Sequence, residues 1–139
     1  DRAALVEGIK DGTIDMIATD HAPHSIEEKS RGLKDSAMGI VGLETAFAAL
    51  NTHLVKRGVI TLEHLIRIMS DNPREVFRIE GGLEVGDRAD IVLLDTEKAW
   101  RVDSEKFYSM GKISMFDGRD MVGDIAMTIH RGEVVYKAE

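Results

Sequence analysis

Apolar and polar positions follow three successive rhythms along the chain. Leu5, Val6 and Ile9 share one side of a short helix over residues 1–10, with Gly12 placed to stop it. "IDMIAT", residues 14–19, predicts a short buried strand ending on Asp20. From 21 to 42 the rhythm is lost, and Pro23, Gly32, Gly39 and Gly42 among many charges predict a long loop of the kind that carries function. Helical spacing returns over 43–57, "LETAFAALNTHLVKR", closed by Gly58. A further helix, "LEHLIRIMS", starts at Leu62 with Thr61 as N-cap. Glu63 falls in its first turn, where the helix dipole favours a carboxylate. "NPREVFRI", 72–79, adds another helical turn with Pro73 at its first position.

After Gly81 the pattern shortens to strands at Ile91–Leu94 and Trp100–Val102. "VGDIAMTIHRGEVVYKAE" predicts a hairpin turning at Arg131–Gly132. The chain is therefore α/β, with helix–strand–helix material over 1–80 and short antiparallel strands over 81–139. A strand that ends in polar chemistry and runs through a loop into a helix is one βα unit of a parallel barrel. Parallel strands need neighbours on both edges, and this chain supplies one such strand. It also opens on an amphipathic helix without an initiator Met, so it reads as the tail of something longer.

Composition narrows the classes. At 139 residues the chain is the size of one ordinary domain, long enough to bury a core. With 18 Lys and Arg against 25 Asp and Glu the net charge is −7, which argues against a nucleic-acid surface. The absence of Cys excludes disulfides and thiolate metal sites and agrees with a cytoplasmic location. No apolar run approaches the roughly 20 residues of a membrane span.

Chemistry concentrates at residues 20–24. Asp20 stands at the C-terminal end of the predicted strand, where barrel enzymes keep their reacting groups, and a carboxylate there suits metal ligation and proton transfer. His21 and His24 are three apart, but Pro23 between them rules out a helical two-His metal motif. His21 is read as a supporting loop residue, and His24 as a group able to meet a ligand carboxylate. Gly39 and Gly42 precede a helix, where backbone amides could hold an anion. His53, His64 and His130 read as structural or exposed, and Arg88 and Asp90 as parts of a turn.

"DGTIDMIATDHAPHSIEEK" resembles the last barrel strand and following loop of the dihydroorotases, in the cyclic amidohydrolase group, and "MGIVGLETAF" is similar to their next segment. "NPREVF" followed by "GGLEVGDRADIVLLD" resembles the exit from the barrel into a small β-sandwich, and "FDGRDMVGDIAMTIHRGEVVY" the closing strands. The likeness runs in order along essentially the whole chain. "ATDHAPH" with "GIVGLET" is its specific part, whereas "ADIVLLD" alone indicates only an amidohydrolase. Two departures stand out. Met38 occupies a place where relatives often carry Phe or Pro. "GKISMFDG" lacks the Pro of the family's version, and no catalytic role is assigned to it.

The resemblance implies the last βα portion of a (β/α)8 barrel plus part of a β-sandwich, incomplete by itself. It implies reversible cyclisation of N-carbamoyl-L-aspartate to dihydroorotate, in pyrimidine biosynthesis, with zinc at the barrel mouth. Asp20 matches the family's metal-contacting aspartate and general base and acid. His24 matches the histidine that meets the substrate carboxylate, and Met38 and Gly39 match positions whose backbone touches substrate. The family's His-x-His occurs nowhere here, so the remaining ligands are expected upstream and the chain alone is expected to be inactive. A homo-oligomer is expected, as is association with aspartate transcarbamoylase. Two alternatives are a related cyclic amidohydrolase, such as an allantoinase or hydantoinase, and a non-catalytic dihydroorotase-like subunit of an aspartate transcarbamoylase complex. Bare edges of Ile14, Met16 and Ile17 are expected to drive self-association.

Overall fold

The computed structural model describes residues 1–138. Helix α1, Arg2–Asp11, ends where Gly12 adopts a left-handed φ of 82°, as its sequence predicts. Two single-turn helices, α2 (Ile26–Lys29) and α3 (Gly32–Asp35), interrupt the long loop. Ser25 and Glu28 cap α2 reciprocally, each side chain holding the other's backbone N–H. Helix α4, Ala46–Leu50, widens into a π turn over Asn51–Val55. Helix α5, Leu62–Ile66, passes through a second π turn, Arg67–Asp71, into α6, Asn72–Phe77. Thr61 caps α5 by accepting the His64 amide at 3.1 Å.

Strands β1 (Ile91–Arg101), β2 (Asp120–His130) and β3 (Glu133–Lys137) make an antiparallel sheet in the order β1-β2-β3. β1 is one strand rather than two, and bulges between Leu93 and Leu94 and between Asp95 and Ala99 account for its broken polarity pattern. The β2–β3 hairpin turns on Arg131 (φ 52°) and Gly132 (φ 84°), the paired positive φ of a type I′ turn. Asp90 steadies it by accepting the Arg131 amide at 2.8 Å.

The predicted strand over 14–19 is not one. It is an extended segment with no ladder, because no parallel neighbour exists for it among the described residues. Single contacts hold it instead. The Ile17 amide donates to Ile68 O at 3.3 Å, and Asn72 Nδ2 donates to Asp15 O at 2.7 Å. Ile14, Met16 and Ile17 are consequently half-buried, not bare.

Two apolar clusters tie the helices to the sheet. In one, Val41, Ala48 and Ala49 meet Val102, Phe107 and Met121. In the other, Phe47, Ile60, Leu65 and Ile68 gather Ile9 and Ile17 on one side and Leu94 and Ile125 on the other. Between them sits Asn51, fully buried at the head of the π turn. Its Nδ2 donates to Thr96 O at 3.1 Å and to Val122 O at 2.8 Å, while its Oδ1 finds no donor among the described residues. A Cβ on Gly123 would stand 2.8 Å from Asn51 Nδ2, so only glycine lets the strand approach this closely.

Candidate functional site

The site is built where the extended segment ends. Thr19 Oγ1 accepts the His21 amide at 3.3 Å, and Asp20 between them takes a left-handed φ of 49°. Asp is among the few residues that tolerate that conformation. The Asp20 side chain lies exposed at the junction.

A parallel bridge between His21 and Ile40 brings residues 38–43 alongside 20–24, with the Ala22 amide on Ile40 O at 3.0 Å. Two glycines make this approach sterically feasible. A Cβ on Gly39, at φ 116°, would fall 2.5 Å from Ala22 Cβ, and one on Gly42 would fall 2.9 Å from Thr19 O. The glycines before α4 therefore serve close backbone packing. The Gly42 and Leu43 amides do not wait for an anion, because both donate to His21 Nδ1 at 3.2 Å. Accepting two N–H groups requires that nitrogen to be unprotonated, so His21 is a strut in the Nε2–H tautomer.

His24 faces two ways. Its Nδ1 lies 3.6 Å from Glu28 Oε2, and its Nε2 lies 3.4 Å from where a Gly39 side chain would begin. The Ser25 amide and, more weakly, His24 hold the Glu28 carboxyl below the usual range. Lys29 Nζ donates to Ala37 O at 2.9 Å and Gly39 O at 2.8 Å, clamping the carbonyls that flank Met38, whose side chain points into solvent. His24 and Gly39 thus meet across the loop, with Met38 preceding Gly39 in the chain and Asp20 one residue before the His21–Ile40 bridge.

A further wall comes from residues 107–113. Glu44 Oε2 accepts the Tyr108 amide at 2.7 Å, and Glu44 Oε1 accepts the Ser109 amide at 3.0 Å and the Ser109 hydroxyl at 2.7 Å. Partial burial pushes the Glu44 carboxyl up, but the donors from Ser109 and Tyr108 and the charge of Lys112 together hold it below the usual range. Gly111 is buried against the loop, its missing Cβ only 2.9 Å from Pro23 Cβ and 3.0 Å from His24 N and O. Sequence reasoning assigned this segment nothing and did not single out Glu44. Nothing local points to a partner 65 positions away.

No group of three or more metal-ligating side chains occurs among the described residues. Asp20 is one carboxylate, and His21 Nδ1 is spent on backbone, so the described residues do not by themselves fit a zinc that wants about four ligands. Two surface hollows lie elsewhere, one lined by Lys10, Asp15, His64 and Arg67, the other by Trp100, Tyr108 and Tyr136. Neither includes Asp20, and the chemistry of the junction outweighs their size.

The sequence profile of the amidohydrolase family matches residues 1–135. The chain belongs to the amidohydrolase family. A dihydroorotase of Bacillus cereus (strain B4264) is 49% identical over the whole of this chain, which covers 33% of that protein. Among solved structures, L-hydantoinase (dihydropyrimidinase) from Arthrobacter aurescens is 37% identical with a TM-score of 0.87, over 96% of this chain and 31% of that one. The inactive dihydroorotase-like domain of a Chaetomium thermophilum CAD-like multifunctional protein shares the fold, at 22% identity and a TM-score of 0.67 over 95% of this chain and 34% of that one. This amidohydrolase chain thus spans about a third of the length of the curated relatives it matches.

Proposed function

We propose that this chain supplies the last third of a dihydroorotase. In that enzyme residues 1–80 close a (β/α)8 barrel and residues 81–139 contribute to a β-sandwich. The approach of His24 to Gly39 across the His21–Ile40 bridge, directly after an exposed Asp20 at the end of the extended segment, carries the reading. The 49% identity to a dihydroorotase supports it.

Asp20 then acts as general base and acid. It takes the proton of the attacking water and returns a proton to the leaving ring nitrogen; ring closure of N-carbamoyl-L-aspartate is the reverse. A carboxylate with no hydrogen-bond or ion-pair partner among the described residues is suited to both halves. His24 meets the substrate carboxylate, and the Met38 and Gly39 backbone borders the ring. Lys29 fixes the carbonyls around that backbone, and His21 holds the loop to residues 42–43. The zinc implied by the chemistry would find one ligand here, Asp20, and would supply an activated water. The reading also makes the protein cytoplasmic and homo-oligomeric, with aspartate transcarbamoylase as a partner.

The L-hydantoinase likeness at 37% favours a second reading, a cyclic amidohydrolase of different ring preference. Steady-state kinetics of the whole enzyme on dihydroorotate, allantoin and a hydantoin separate the two. The first reading expects dihydroorotate to give the highest kcat/KM. It expects Asp20→Asn to lower kcat by at least about 100-fold, the scale of a general base, and His24→Ala to act mainly on KM. A preference for allantoin or the hydantoin sinks it, as does an Asp20→Asn enzyme of normal kcat.

A further inference from the structure

Glu44 stands two residues beyond Gly42, in the stretch whose amides hold His21. Its carboxylate takes three donors from Tyr108 and Ser109, and a little farther on the Val41 amide donates to Ile113 O at 2.9 Å. The segment 108–113 is therefore stitched to residues 41–44 at both ends. Between the stitches, Gly111 presses on the Pro23 side chain and the His24 backbone with no room for a methyl group. The far side of that same loop carries His24 Nε2 toward Gly39.

We infer that Glu44 is a positioning residue for His24: by clamping the Tyr108–Ser109 turn it seats Gly111 behind the His24 backbone and fixes where the imidazole meets the substrate. This rests on the dihydroorotase reading and deepens it by extending the site to two residues that touch no substrate. A carboxylate is needed because two oxygens serve three donors. The amide of Gln offers one oxygen and turns its NH2 against an N–H.

A double-mutant cycle on kcat/KM for dihydroorotate in the whole enzyme tests it. Glu44→Gln is expected to raise KM about tenfold with kcat within about twofold, the loss of one charge-assisted hydrogen bond. Gly111→Ala, which leaves the clamp intact but pushes on His24, is expected to do the same. In a His24→Ala background each is expected to change kcat/KM by less than about twofold, since the group they position is gone. Equal losses in both backgrounds overturn the inference and leave Glu44 a structural tie. So does a Glu44→Gln enzyme with normal KM. Failure of the underlying reading looks different: the unmutated enzyme does not turn over dihydroorotate, or His24→Ala alone leaves KM unchanged.

Discussion

Asn51→Ala attacks the seam between helices and sheet. The side chain is fully buried and supplies donors to Thr96 O and Val122 O. Val122 O keeps the Thr52 hydroxyl at 3.2 Å, so the full loss falls on Thr96 O. A part-buried carbonyl stripped of its donor costs about 1–3 kcal/mol, and the second lost bond about 1 kcal/mol. A small void adds to this, and removal of the orphan Oδ1 of Asn51 gives back about 1 kcal/mol. The net is about 2–3 kcal/mol. With an m-value of about 2 kcal/mol/M, the urea midpoint falls by about 1–1.5 M. Trp100, the single Trp of the chain, reports the transition from the seam itself, where its indole N–H donates to Gly123 O at 2.7 Å. Asn51→Asp is expected to be worse than Ala, because it aims a carboxylate at two carbonyl oxygens. A midpoint shift under about 0.3 M at constant m, or an Asp variant milder than Ala, refutes the reasoning.

Gly39→Ala forces a methyl to within 2.5 Å of Ala22 Cβ at a φ of 116°, and a shift of the His24–Gly39 junction by about 1 Å is expected to cost the whole enzyme about 100-fold in kcat/KM. Gly12→Ala, whose Cβ meets nothing within 4 Å, is expected to fray α1 and leave kcat/KM unchanged; equal losses for the two would remove the steric argument. The depressed carboxyls of Glu44 and of Asp117, the latter held down first by the Ser104 amide, favour the folded state above their unfolded pKa and lose that contribution as pH falls through the folded one. Urea midpoints should therefore be level above about pH 5 and drop below about pH 4, with a shallower drop for Glu44→Gln; a decline beginning above about pH 6 contradicts this. Leu5, Phe77, Leu83 and Val85 are exposed, so light scattering of the chain by itself is expected to show concentration-dependent association, and a monodisperse monomer without detergent counts against that.

What was legible in the sequence was what is settled locally. Gly12 ends a helix with left-handed φ, Gly58 with left-handed φ lies in the turn that follows the helix ending at Val55, Thr61 caps a helix with its own side chain, and Arg131–Gly132 turns the hairpin. Residues 14–19 misled because a strand is defined by its neighbours, and alternation says nothing of whether they are there. The π turn over Asn51–Val55 escaped because Asn51 and Thr52 are drawn toward a strand 70 residues on. At the site, the motif singled out Asp20, His24, Met38 and Gly39, and the structure brings His24 to Gly39 across the bridge that follows Asp20. The reason Gly39 must be glycine was not visible, since it lies in the proximity of Ala22. The same holds for Glu44, Lys29 and Gly111, whose partners are set by the fold.

The deciding measurement is dihydroorotate hydrolysis with added zinc, by this chain alone and by this chain mixed with the remainder of the enzyme. Silence alone, turnover on mixing, and loss of that turnover with Asp20→Ala are the predicted results. Turnover by the chain alone, or turnover on mixing that survives Asp20→Ala, would show that the reacting groups lie elsewhere.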